Sequence, residues 1–180
     1  MRIWTNLSAA FAGWLQILRR EPNWRGQFTL TAAGLAVALC IYAFAAFLAV
    51  ALASTAIGMP GWLGVVGAMA VLGLPVLAFV VSLGLTRNFL KGQDPALPLL
   101  VPGVYVLTAF LLVEGVVAMV AGPGVMLTWV ALGYCLFALA RAASGWNVGI
   151  ATAFAVLTVV LLVAMRLALY MLTIPAGSPL

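Results

Sequence analysis

An all-α fold, a polytopic membrane bundle of five spans preceded by an interfacial helix, is predicted by three features of the sequence. The 180 residues are 67% hydrophobic and 6% charged, whereas soluble domains carry about a quarter charged residues. Five apolar runs, at about residues 30–53, 62–85, 97–121, 124–140 and 148–173, approach or exceed the length needed to cross a hydrocarbon layer about 30 Å thick. Basic residues fall only on alternate connections between those runs, apart from Arg166. The connections are short, so residues 1–180 read as a single membrane domain.

Residues 3–20 read as an amphipathic helix lying in the membrane plane. Ile3, Trp4, Leu7, Phe11, Trp14, Leu15 and Leu18 fall on one stripe at 100° per residue, with Arg2, Asn6, Gly13, Gln16 and Arg20 opposite. A secretory signal peptide is the rival reading, but Gln16 interrupts the apolar part and Arg19-Arg20 closes it. Pro22 then turns the chain through REPNWRGQ into the first span. Trp4, Trp14, Arg19, Arg20, Trp24 and Arg25 are the expected membrane-interface anchors, aromatic rings and snorkelling guanidiniums at headgroup level.

The first span is Ala-rich, so close neighbours and a place in the bundle interior are expected. In the second, Gly64 and Ala68 have the small-xxx-small spacing, and Pro75 removes a backbone donor near the middle. That proline is either a hinge or a packing adjustment. The polar TRNFLKGQDP follows as a connection, in which Asp94 is the expected cap and Pro95 the first residue of the third helix. The fourth span closes with Arg141, and Asn147 is placed to cap the fifth. Trp24, Trp62, Trp129 and Trp146 fall near span boundaries, as an aromatic belt requires.

Charge placement predicts orientation. Four basic residues precede the first span, Arg87 and Lys91 follow the second, and Arg141 follows the fourth, while the other connections carry none. That is the positive-inside pattern, with the N-terminus cytoplasmic and the C-terminus on the far side. The abundance of Arg over Lys and the Ala, Gly, Val and Leu bias suggest a bacterial inner membrane.

Two ionisable residues lie deep inside apolar runs, Glu114 in the third and Arg166 in the fifth. Each sits seven residues before its outer helix end, roughly 10 Å down at 1.5 Å per residue, and the two spans run in the same direction. If the helices meet, Glu114 and Arg166 form an intramembrane ion pair that removes the isolated-charge penalty from both. Three readings of these residues stand open: a structural pair that fixes register, a proton- or substrate-coupled site, or two unconnected groups. In the last, Arg166 snorkels beside Tyr170 and Glu114 is protonated.

Little else carries chemistry. Histidine is absent, which removes the commonest base and metal ligand, and Cys40 and Cys135 lie apart within apolar runs. No Gly-rich phosphate loop or nucleophile elbow is present. Neither an enzyme, nor a metal or cofactor site, nor a nucleic-acid partner is expected.

The order of features resembles the Yip (Ypt-interacting protein) family and its bacterial five-helix relatives. The resemblance lies in LRREPNWRGQF before the first span, LTRNFLKGQDPALP between the second and third, and ARAASGWNVGIATAF leading into the last. It implies a non-catalytic scaffold or organising component whose partners are membrane lipids, other membrane proteins or further copies of itself. The alternative is a small transporter or channel subunit with Glu114 in its pathway. Such a protein would line its route with polar side chains, and the spans offer few beyond Thr108, Thr128, Tyr134, Thr152 and Thr158.

Overall fold

Six α-helices and one 3₁₀ turn make up the fold, with no strand among the described residues. The computed structural model describes residues 2–58, 61–91, 95–121 and 124–173, and of residues 2–4, 6, 56, 57, 172 and 173 the backbone alone. The helices are α1 (Arg2–Leu18), α2 (Ala32–Ile57), α3 (Trp62–Leu90), α4 (Leu97–Ala121), α5 (Val125–Ser144) and α6 (Val148–Thr173), with the 3₁₀ turn at Pro22–Gln27. From α2 to α6 each contains a stretch long and apolar enough to cross a membrane.

Helix boundaries follow capping chemistry. The Thr31 hydroxyl accepts the Gly34 amide at 3.1 Å and starts α2, and Asn147 Oδ1 accepts the Ile150 amide at 2.8 Å and starts α6. The expected cap Asp94 lies outside the described residues, and Pro95 is not the first helical residue. Instead the Ala96 carbonyl accepts the amides of Leu99 and Leu100, which puts Pro98 in the first turn, where its missing N–H costs nothing. The TRNFL segment is not a connection either. It completes α3, which ends at a left-handed Lys91 with φ 50°, because no glycine cap or proline falls between Thr86 and Lys91 to stop the helix. Likewise α5 runs past Arg141 to Ser144 and stops at left-handed Gly145.

The five spans close into a ring: α2 packs on α4, α4 on α5, α5 on α6, α6 on α3, and α3 back on α2. Lipid is as apolar as these side chains, so the ring is held by close packing and polar contacts rather than by exclusion of water. A close approach occurs at Gly103 of α4, where a Cβ would collide with the Phe79 ring of α3. Gly64, by contrast, is exposed, so the small-xxx-small spacing of α3 is not where its helices close. Nor is α2 interior. It buries Ala38, Tyr42, Ala45, Ala46 and Val50 and turns Phe44, Phe47 and Leu52 outward, whereas α4 holds the longest buried stretch, from Leu99 to Leu111.

The core lies toward one end. Phe79, Leu107, Leu136, Leu139, Ala140, Ala151 and Phe154 are buried, and Phe154 meets Phe79 and Trp146 edge-on at centroid distances of 6.0 and 5.6 Å. Beyond Leu111 on α4 and Leu162 on α6 no described residue is buried, and Val116, Met119, Val120, Leu167 and Met171 face outward. Pro75 and Pro102 sit buried inside α3 and α4. In the turn before Pro75 the Leu72 carbonyl accepts the Tyr42 hydroxyl from α2, a side chain serving backbone that a proline disturbs.

Helix α1 docks outside the ring, on α4 and α5. Its contact face is Ala10, Gly13, Trp14 and Ile17, of which only Trp14 belongs to the stripe the spacing suggested. Gly13 faces inward because Phe28, folded back by the 3₁₀ turn, occupies the space a Cβ would need. Leu7, Phe11, Leu15 and Leu18 remain exposed as a second apolar face.

Candidate functional site

One turn past the end of the packed core, three helices converge on a carboxylate. Glu114 projects from α4, and Arg166 of α6 meets it with both terminal nitrogens: Nη1 donates to Oε1 and Nη2 donates to Oε2, the latter at 2.8 Å. This two-pronged geometry suits a planar guanidinium and a carboxylate. From α5, Trp129 Nε1 donates to the same Oε1 at 2.9 Å. The side chains of Arg166 and Glu114 are 23% and 14% exposed, and Arg166 Nε is buried without an acceptor. The Tyr42 hydroxyl of α2 donates to the Leu72 carbonyl of α3. The charged layer is built by α4, α5 and α6.

The structure joins the two intramembrane charges, but not through neighbouring helices. In the ring α5 stands between α4 and α6, and its Trp129 indole joins the pair by donating to Glu114. Sequence reasoning assigned Trp129 to a headgroup belt and missed its role. A signal existed, since Glu114 and Trp129 lie within about two helical turns of the same tight connection, which sets them level on antiparallel helices.

Three other polar span residues hydrogen-bond locally. Thr108 donates to the Val104 carbonyl, Thr128 to Val125 and Thr158 to Phe154, each within its own helix. Tyr134 and Thr152 are exposed on the flank of α5 and α6.

The six expected interface anchors divide. The Trp4 side chain lies outside the described residues. Trp14 is part-buried, its Nε1 donating to the Pro102 carbonyl at 3.1 Å and pinning α1 to α4. Trp24 is not an anchor: it is 3% exposed, because the 3₁₀ turn folds its ring against Phe28 at 6.1 Å, and Phe28 in turn meets Tyr105 at 6.0 Å. Arg25 crosses above the Trp24 ring at 5.5 Å and donates from Nη2 to the Ala143 carbonyl at 3.0 Å, in the last turn of α5, where carbonyls lack helical partners. Arg19 and Arg20 are exposed. Of the belt tryptophans, Trp62 alone is strongly exposed, at 75%, while Trp146 packs on Phe154.

Among the described residues no cluster of His, Cys, Asp or Glu has the makings of a metal site, and Cys40 and Cys135 are free thiols. An all-helical ring of five membrane-crossing helices with its charges paired inside defines the class: an integral, multi-pass membrane protein. No family model, no curated protein and no solved structure matches the chain.

Proposed function

We propose that the chain is a non-catalytic membrane scaffold or organising component, with the Glu114–Arg166 pair as the latch that holds its ring closed. The observation that carries this reading is the closure of the site. Both oxygens of Glu114 are engaged, by donors from two other spans, and the hydroxyls of Thr108, Thr128 and Thr158 are spent on their own helices. A coupling carboxylate in a transporter needs instead a polar or watered route along which its proton or cation arrives and leaves. The broad apolar flanks, including Phe44, Phe47, Val120 and Met126, offer surface for lipid, for other membrane proteins or for a second copy.

The same reading places the chain in a bacterial inner membrane with its N-terminus cytoplasmic, and keeps the likeness to the Yip family as a scaffold resemblance. The second apolar face of α1, Leu7, Phe11, Leu15 and Leu18, supports a helix resting at the lipid interface while docked on the bundle.

The test is a double-mutant cycle in mild detergent. Glu114→Gln and Arg166→Leu should each destabilise the protein by on the order of 3 kcal/mol, because each strands its partner, and the double variant should lose clearly less than the sum. Additive losses would show that the two groups do not interact and would remove the latch, whereas ion flux through purified protein in liposomes that Glu114→Gln abolishes would replace it with the transporter reading.

A further inference from the structure

At the end of the bundle where Arg20, Arg25, Arg87 and Arg141 gather, α1 and the 3₁₀ turn leave a recess of about 270 Å³ against α5. Arg20, Glu21 and Arg141 line its mouth, and Ile17, Phe137 and Ala138 line its wall. It shares Tyr134 and Phe137 with a second, almost wholly apolar recess of about 580 Å³, which runs between α5 and α6 past Gly133, Val130 and Val156. The shared residues set the two recesses side by side along α5, a trough with a charged mouth beside an oily bed.

Two features say what fits. From Arg141 back to Met126 the trough runs roughly 22 Å along α5, more than the roughly 15 Å depth of one hydrocarbon leaflet, so an acyl chain fits within its length. The mouth carries two guanidiniums against one carboxylate, which complements an anionic headgroup. Its backbone is also unusual. The Arg20 amide donates to Ile17 and the Glu21 amide to Gln16, the Schellman closure of α1, with φ 59° at Arg20. Glycine fills that left-handed position without strain, and arginine does not. Arg141 is steadied by donating from Nη1 to the Trp146 carbonyl at 2.9 Å, with further N–H groups remaining on its fork.

We infer that this trough holds one anionic glycerophospholipid, its phosphate between Arg20 and Arg141 and one acyl chain between α5 and α6. The site extends the lipid-packing reading of the chain but does not involve Glu114 or Arg166, so the stability cycle on that pair and the lipid measurement fail independently.

Native mass spectrometry of the full chain in mild detergent, titrated with phosphatidylglycerol, phosphatidylethanolamine or phosphatidylcholine, tests it. Phosphatidylglycerol should be retained about tenfold better than phosphatidylcholine and should survive addition of inorganic phosphate. Arg20→Gly should weaken retention about fivefold while leaving the melting temperature unchanged or raised, since glycine relieves the left-handed strain. Arg141→Gln should weaken it similarly, and Glu21→Gln should strengthen it. Arg19→Gln, which removes the same charge beside the trough, should leave retention unchanged. Equal retention of the three lipids, a preference for phosphatidylethanolamine, or an Arg19→Gln loss as large as that of Arg20→Gly would overturn the site.

Discussion

Glu114 is the residue on which the molecule's polar chemistry turns, and Trp129 is what makes its position selective. A guanidinium alone would follow the carboxylate through many rotamers, whereas the indole N–H adds a fixed donor from a third helix. Replacing Trp129 by Phe keeps most of the ring and removes the N–H. It should lower stability by about 1 kcal/mol, and in a Glu114→Gln background the loss should shrink, as read from thermal melts in detergent. An equal loss in both backgrounds would show that the indole acts through packing alone. That Glu114 and Arg166 each needed a partner was legible in the sequence, because an ion in hydrocarbon is costly wherever it sits. The indole's part was not, since a tryptophan near a span end serves equally well at a headgroup layer.

At the scale of elements, α3 and α4 come together where Phe79 lies over Gly103. Gly103→Ala should destabilise the protein by about 2 kcal/mol, because the ring it meets is itself packed against Phe154 and cannot withdraw. At Gly67, where a side chain would meet open space, the same change should stabilise by about 0.5 kcal/mol through helix propensity alone. Opposite signs in paired melts are the expected result, and losses of equal size would deny any special closeness at Gly103. The extents of α4 and α6 could be read from their long apolar runs, each broken by one ionisable residue, but the ends of α3 and α5 could not. Arg87, Asn88 and Arg141 look like connection residues by polarity, yet a helix continues until a glycine or a left-handed residue ends it, and those lie at Lys91 and Gly145.

For the whole molecule, the arginine-bearing connections collect at one end of the bundle, and the positive-inside reading of five spans expects the two chain ends on opposite faces. Reporter fusions before Met1 and after Leu180 should therefore report opposite sides, the N-terminal one cytoplasmic. A same-side result would contradict the five-span ring. The sequence by itself determined the number of spans, their order and the need of two buried charges for partners, because crossing a membrane sets requirements on length and polarity that each segment meets locally. Which face of each span turns inward was decided only by the tertiary structure. Helices α2, α3 and α4 are apolar nearly all round, and between lipid and a neighbouring helix the choice rests on shape, such as a ring over a glycine, which no local run of residues records.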